Sequence, residues 1–509
     1  MAATTWKCEV CGYIHQGAEP PESCPVCGVG RELFSPFEVA GPAPAAAPAG
    51  KRPAAAAWRC TVFDHVASGA APPERCPICG AEASLFEPTA TGTAPPIVEP
   101  DVGRVIIVGG GIAGLTAAEH AHAVDPGAHI TLCSREAHLP YYRLNLTRYL
   151  AGEIDEERLQ LQPLAWYEEK GIELVRDEVT QIDRVRQEVR LHDSGRVLPY
   201  DRLVLASGAH AFVPPIPGAT REGVLPLRSL DDARSIIGRA GRGGEAVCIG
   251  GGLLGLEVAG ALRKRGMRVT VLEGFPSLLP RQLAEPAGRL LAEHVEGLDI
   301  QVRCGVKVEE ILGDEMVKGV RLAGGEVVRA DLLVLSAGVR PNSYLARQAG
   351  LEVKNGVIVD DRLFTSDPAI LAAGDVAEHR GVLYGIWPAS YAQGLVAGTN
   401  AVGGTLEFSG LAPSTRLKVL AVDLFSIGQF QPRDASQPVF EQLEGKSYLR
   451  LVCADGRLIG ANLYGDTHLA GALKEAIETR VQLATVTEIL SRVPGAARLC
   501  PAAPSAPSS

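Results

Sequence analysis

The stretch Arg104-Val-Ile-Ile-Val-Gly109-Gly-Gly111-Ile-Ala-Gly114-Leu-Thr-Ala-Ala118 reads as a buried strand, a glycine turn and the start of a helix. In that arrangement Gly109 permits the tight turn, Gly111 lets the backbone approach a pyrophosphate, and Gly114 with Ala118 lets the helix press on the strand. The helix amino terminus then faces the phosphates with its partial positive charge. Residues 104 to 124 form the most apolar stretch of the chain, but Gly109, Gly110, Gly111, Gly114, Glu119 and two histidines argue against a membrane span.

Working outward, the next strand, His129-Ile-Thr-Leu-Cys133-Ser134-Arg-Glu136, ends where an acid would accept a hydrogen bond from an adenosine ribose. Ser134 stands at the usual place and Glu136 two residues on, so Glu136 is the expected ribose ligand. A second fingerprint follows, Val247-Cys-Ile-Gly250-Gly-Gly252-Leu-Leu-Gly255-Leu-Glu-Val-Ala259, with the strand Arg268-Val-Thr-Val-Leu-Glu273 behind it. A carboxylate at Glu273 would bond two ribose hydroxyls and repel a 2′-phosphate, which favours NADH over NADPH. One such motif is a weak signal; two in one chain make an unrelated glycine turn a poor explanation. From Val102 to about Asn400, β-branched strands alternate with Ala- and Leu-rich helical segments, the pattern of a doubly wound α/β body. Beyond Thr415 the expectation is a small α+β domain. It contains alternating strands such as 417 to 428, a hairpin over 448 to 464 turning at Asp455-Gly456, and a helix over 468 to 480.

The 509 residues suffice for several domains, and 46% apolar with 21% charged residues is ordinary globular composition. Acidic residues outnumber basic ones by ten (59 against 49), with no basic stripe, which disfavours nucleic acid as a partner. No secretory signal is visible in residues 1 to 10, and a cytoplasmic protein is expected. Of twelve cysteines, Cys8, Cys11, Cys24, Cys27, Cys60, Cys76 and Cys79 lie in the first eighty residues, a distribution that suits metal ligation in a reducing compartment.

Those early cysteines belong to a repeat: Trp6-Lys-Cys8-Glu-Val-Cys11-Gly through Cys24-Pro-Val-Cys27-Gly matches Trp58-Arg-Cys60-Thr-Val-Phe63 through Cys76-Pro-Ile-Cys79-Gly. Each unit is below the roughly 40 residues under which apolar burial alone seldom holds a fold, so a metal staple is expected. Cys8, Cys11, Cys24 and Cys27 would present four thiolates tetrahedrally, which by spacing alone suits iron or zinc. The second unit has Phe63 in place of the second cysteine. It reads first as a degenerate copy kept for packing or docking, and second as a site of three thiolates completed by Asp64 or His65. Ala- and Pro-rich linkers follow each unit. At about 3.1 Å per residue where extended, the longer would span roughly 50 Å.

The two fingerprints, with Ala206-Ser207-Gly208 and the segment 365 to 375 ending in Gly374-Asp375, resemble the two-dinucleotide-binding flavoprotein family. That family includes NADH:rubredoxin reductases, ferredoxin reductases of oxygenases and the large subunit of NADH nitrite reductases. The resemblance implies FAD on the first fingerprint and NADH on the second. It also implies that Ala206, Ser207 and Gly208 lie against the FAD and that Gly374 and Asp375 hold its ribityl and phosphate part. Arg143, in Pro140-Tyr-Tyr-Arg143, falls in the flavin-proximal segment, and Trp387 with Gln393 at the isoalloxazine border. The segment 414 to 428 is similar to the terminal domain of rubredoxin reductases and nitrite reductase large subunits. The first cysteine unit resembles the rubredoxin domain of rubrerythrins, which implies one redox-active iron.

The expected organisation is therefore a rubredoxin-like domain at 1–39, a linker at 40–57, the degenerate repeat at 58–88 and a linker at 89–101. An FAD-binding domain would take 102–222 and 339–405, an NAD-binding domain 223–338, an α+β domain 411–490 and a disordered tail 491–509. No Cys-x4-Cys pair precedes the flavin site, and Cys133, Cys248, Cys304 and Cys453 lie in apolar strand patterns that read as buried structural thiols. The resemblance thus implies an NADH-dependent FAD oxidoreductase whose electrons leave through a rubredoxin-type iron, in its own module or an external carrier. The competing expectation is zinc-ribbon docking modules on a reductase subunit serving a separate acceptor, such as a nitrite or oxygen reductase. The cysteines of a sirohaem and cluster region are absent, so this chain alone is not expected to reduce nitrite.

Overall fold

The computed structural model describes residues 5–8, 14–16, 19–20, 31, 34–37, 57–60, 66–68, 83, 86–89, 103–411 and 414–482. In the first repeat, Thr5–Cys8 pairs antiparallel with Ile14–Gln16 and Phe34–Phe37; in the second, Ala57–Cys60 pairs likewise with Val66–Ser68 and Phe86–Thr89. Trp6 stands opposite His15 and Pro36, and Trp58 opposite Ala67 and Pro88, so the sequence repeat is also a repeat of register. Ala57 and Thr89, expected in linkers, are strand residues. The rest of both linkers, the tail, and Cys11, Cys24, Cys27, Phe63, Asp64, His65, Cys76 and Cys79 lie outside the described residues.

Strand β1 (Arg104–Val108) leads into helix α1 (Ile112–Val124) and strand β2 (His129–Cys133). Helix α2 (Leu146–Leu150) and strand β3 (Arg202–Leu205) follow. A second round runs through α3 (Leu230–Ala240), β4 (Glu245–Ile249), α4 (Leu253–Lys264), β5 (Arg268–Leu272), α5 (Glu285–Glu296) and β6 (Leu332–Leu335). Helix α6 (Trp387–Ala401) then precedes β7 (Ser414–Val419), β8 (Val422–Gly428), β9 (Val439–Glu444), β10 (Ser447–Ala454), β11 (Arg457–Tyr464) and α7 (Ala470–Glu478).

Two five-stranded parallel sheets share one inner order, β3-β1-β2 in the first and β6-β4-β5 in the second. Their outer strands come from different places: Ile370–Ala372 borders β3, whereas Val224–Pro226 borders β6. Parallel sheets of this kind are covered on both faces, which is why residues 105 to 108 and 332 to 335 are apolar throughout and buried.

The chain divides into two compact units. One ends its first segment at Tyr142 and continues through Gln160–Ala209 and Pro341–Gly410; the other is built from Arg143–Leu159, His210–Arg340 and the chain from Leu411. In the first, α6 packs on α1 through small residues: a Cβ at Gly394 or Gly398 would overlap backbone atoms of Ala113 or Ala117. In the second, two stretches expected in the FAD-binding segment, 143–159 and 210–222, group with the NAD-side sheet. Polar anchors hold the first of them there. Arg143 donates to Arg228 O, Thr147 Oγ1 to Glu257, Arg265 to Leu150 O, and Arg234 pairs with Glu156.

The carboxyl-terminal strands form one antiparallel sheet in the order β7-β8-β11-β10-β9, with α7 over a core of Phe425, Ile427, Leu451, Leu463 and Leu473. The hairpin at Asp455-Gly456 is present, both residues having positive φ (50° and 69°) as that two-residue turn requires. The expected strand run over 417 to 428 instead folds back at Leu420-Ala421, with φ of 47° and 71°. Neither residue favours that conformation. Tertiary contacts hold it: His294 Nε2 lies 2.9 Å from Leu420 O, and the Leu420 side chain fills the space a Cβ would need at Gly260.

Asn462, fully buried, joins this domain to the α5 region. Its Oδ1 accepts from Ala284 N at 2.9 Å, and its Nδ2 donates to Gln282 O and Phe425 O. Asn462→Ala strands these backbone groups, at a cost of about 3 kcal/mol. The expected result is a lower Tm on thermal melting with the flavin spectrum unchanged; an unaltered Tm would refute the assignment.

Candidate dinucleotide sites

Gly109, at φ 122°, takes a conformation closed to other residues, and a Cβ there would overlap Ala206 O. Gly114 lies so close to Gly109 O that a side chain would displace the helix. Gly111 is the opposite case. It caps α1 without a side-chain hydrogen bond, and nothing stands within 4 Å of where its Cβ would be. The first-turn N–H groups of α1 therefore open onto empty space, the geometry of an anion cradle.

The second unit repeats this. Gly250 has φ 112° and a Cβ there would stand 2.5 Å from Ser336 O, Gly255 is pressed against Gly250 O, and Gly252 caps α4 over open space. The halves differ at the end of the second strand. Glu273 is buried, its Oε2 accepting from Gly251 N at 2.6 Å and its Oε1 from Phe275 N at 2.9 Å. Two backbone donors set its rotamer while lone pairs on both oxygens remain. Ser134 takes the corresponding place in the first unit, its Oγ 3.0 Å from where a Cβ on Gly110 would lie, as Glu273 lies beside Gly251. Glu136 is brought next to it by its N–H on Ser134 Oγ, and its carboxylate accepts from Tyr141 OH at 2.6 Å.

Ala206 continues β3 alongside Val108, to which its N–H donates. The turn Ser207-Gly208 is clamped by Asn342: Ser207 Oγ donates to Asn342 O at 3.1 Å, Asn342 Nδ2 to Ser207 O at 2.7 Å, and Asn342 N to Gly208 O at 2.9 Å. Gly374, at φ 81°, is set against Ala113 of α1, and its N–H donates to Gln393 Oε1 at 2.8 Å. Ser390 Oγ lies 3.4 Å from Asp375. Gly109, Gly111, Gly114, Ala206, Gly374 and Asp375 thus converge in one unit. Arg143 is grouped with the other unit, where it donates to Arg228 O at 2.9 Å. Tyr142, Trp387 and Tyr391 stack, with centroids 6.4 and 5.4 Å apart. Gln393, expected at the isoalloxazine border, holds Gly374 with its oxygen and leaves Nε2 buried without a partner.

The sequence reading missed Asn342, the Gly394-x3-Gly398 seat of α6 and Ser336. Asn342 had no signal, because its role is to bond a turn far away in sequence. The glycine spacing on α6 was legible. Ser336-Ala-Gly338 follows β6 as Ala206-Ser-Gly208 follows β3, and its Oγ is a buried group without a partner. Open cradles at uncapped helices, with unpartnered Gln393 Nε2 and Ser336 Oγ beside them, fit FAD in the first unit and NADH in the second.

Cys133, Cys248, Cys304 and Cys453 form no disulfide. Burial pushes the Cys133 and Cys248 thiols up to about 12, so neither supplies a thiolate near neutrality. Cys304 and Cys453 are half-buried, contrary to the expectation of full burial. Among the described residues no group of three or more His, Cys, Asp or Glu could hold a metal, and no helix is long and apolar enough to cross a membrane.

Residues 103–394, more than half the chain, match the family described as Pyridine nucleotide-disulphide oxidoreductase. The chain belongs to that family. Residues 413–481 match the Rubredoxin NAD+ reductase C-terminal domain, and residues 6–35 and 58–87 each match the Rubrerythrin, rubredoxin-like domain. This member of the oxidoreductase family is 36% identical to the nitrite reductase (NAD(P)H) of Bacillus subtilis over 76% of its own length and 48% of that protein's. It is 30% identical to the NADH-rubredoxin oxidoreductase of Clostridium acetobutylicum, covering 74% of this chain and 94% of that one. The crystal structure of NADH:rubredoxin oxidoreductase from Clostridium acetobutylicum covers 74% of this chain and 96% of its own, at 30% identity and a TM-score of 0.67. The chain spans about half the length of the Bacillus relative.

Proposed function

We propose that the chain is an NADH-dependent FAD oxidoreductase that delivers electrons to rubredoxin-type iron, held by Cys8, Cys11, Cys24 and Cys27 of its own first module, by an external carrier, or by both. The observation that carries this reading is the pair of matching open cradles with a locked carboxylate in only one of them. Gly109, Gly111, Gly114, Ser134, Glu136, Ala206, Ser207, Gly208, Gly374 and Asp375 would hold FAD, with Arg143 contributing from the segment that follows Tyr142. Gly250, Gly252, Gly255 and Glu273 would hold NADH. When bound, FAD accepts an electron pair as hydride from NADH and returns electrons one at a time. The chain's contribution is positioning, with no side chain named as acid, base or nucleophile. Glu273 offers lone pairs to ribose hydroxyls and opposes a 2′-phosphate. Burial keeps the Cys133 and Cys248 thiols protonated near neutrality, so neither serves as a redox thiolate, and the iron is the proposed outlet. The same features suit a cytoplasmic setting, where four thiolates stay reduced for a metal.

The test is anaerobic stopped-flow spectroscopy of the full chain with NADH, alongside metal analysis. The purified protein is expected to contain one iron per chain and to be red. The flavin should bleach first and the iron bands afterwards, with NADPH slower at the same concentration. Zinc in place of iron would overturn the iron route and leave the modules as docking ribbons.

A further inference from the structure

Asn342 is not among the residues assigned to FAD above, and the present inference rests on that FAD reading. It is the second residue after the chain returns to the first unit at Pro341, and it meets the turn Ser207-Gly208 just before the chain leaves that unit after Ala209. Three hydrogen bonds join them. Asn342 Nδ2 donates to Ser207 O at 2.7 Å, Asn342 N donates to Gly208 O at 2.9 Å, and Ser207 Oγ donates to Asn342 O at 3.1 Å. Since Ser207 O can only accept, the side chain facing it must offer a donor, which the Asn342 amide has and an ionised aspartate lacks.

These bonds fix the orientation of the turn as well as its place. In a planar trans peptide the C=O and the N–H that follows it point in opposite directions, and no cis peptide bond occurs among the described residues. With Ser207 O drawn to Asn342, the Gly208 N–H is turned away from it. Gly208, at φ 65°, does not secure this by itself: glycine takes positive and negative φ about equally, so the Ser207-Gly208 peptide is free to swing over from one turn type to another. The turn also abuts the first cradle, Ser207 N lying 3.1 Å from where a Cβ on Gly109 would be. We propose that Asn342 is a positioning residue of the FAD site: it holds the Ser207-Gly208 peptide so that the N–H, and not the carbonyl, is presented to the ligand. A donor there matches a lone pair of the dinucleotide, whereas a flipped peptide sets an oxygen against it.

The experiment follows FAD release from the full-length holoprotein by the rise in flavin fluorescence on dilution, at about pH 5.5 and about pH 8.5. Asn342→Asp keeps the size of the side chain and the backbone bond. Its carboxyl facing Ser207 O titrates above the ordinary aspartate value of about 3.9, so acid restores a donor and base removes it. The expected result is release at least about tenfold faster than wild type at the higher pH and close to wild type at the lower. Wild type should release alike at both, and Asn342→Ala should be fast at both. If Asn342→Ala does not retain its flavin, the aspartate variant purified in acid carries the test. Wild-type release from Asn342→Asp at the higher pH, or equally fast release at both, would overturn the positioning role alone. A wild-type protein that binds no FAD would overturn the FAD reading and this role with it.

Discussion

Replacing Gly252 with valine is expected to leave a folded, yellow protein that NADH reduces at least about 100-fold more slowly, whereas Gly111→Val should yield a folded protein that does not retain FAD. Both glycines have ordinary extended backbones (φ −77° and −83°), and nothing stands within 4 Å of either added Cβ, so neither substitution strains the empty protein. The side chain instead occupies the volume over the first-turn N–H groups. Losing two charge-assisted bonds to phosphate, each worth about 1.5–3 kcal/mol, amounts to about 100- to 10,000-fold in affinity. Flavin content by absorbance, and flavin bleaching by NADH, separate the two outcomes. If Gly252→Val lost its flavin and Gly111→Val kept it, the assignment of the cradles would be reversed. By contrast, Gly109 and Gly114 are unsuitable probes, since a side chain at either overlaps backbone and would disturb folding.

The second large effect concerns the cysteine modules. Cys24→Ser is expected to remove the iron and its red colour while NADH reduces the flavin at the wild-type rate, because hydride acceptance needs only the two cradles. Cys76→Ser, in the copy that has Phe63 where the first has Cys11, is expected to leave the iron content unchanged. Adding a free rubredoxin to the Cys24→Ser protein then distinguishes the outlets: continued NADH consumption means the body serves external carriers, and arrest means the tethered module is the obligatory outlet. Iron retained in Cys24→Ser but lost in Cys76→Ser would show that the second copy is the metal site.

How far the site was legible depended on the range over which each residue acts. The glycine turns, the acid at Glu273 and the hairpin at Asp455-Gly456 act within a few residues of their own backbone, so residue type alone announces them. The turn at Leu420-Ala421 was hidden, because neither residue favours positive φ and it is held by Gly260 and His294, which are distant in sequence. Glu136 follows the end of β2 in the sequence, but only the fold shows that Ser134 takes the position Glu273 holds in the other half, with Tyr141 already engaging the Glu136 carboxylate.

By itself the sequence determined the doubly wound architecture, its duplication and the repeat of small cysteine modules. These follow from periodicity, steric freedom at glycine and metal-ligand spacing, all of which are local. Only the tertiary structure decided that Arg143–Leu159 joins the second unit, that Asn342 clamps the Ser207-Gly208 turn, and that Asn462 ties the terminal sheet to the start of α5. Those are pairings of polar side chains between segments far apart in the chain, and their energy depends on distance and solvent exclusion, which no linear pattern encodes.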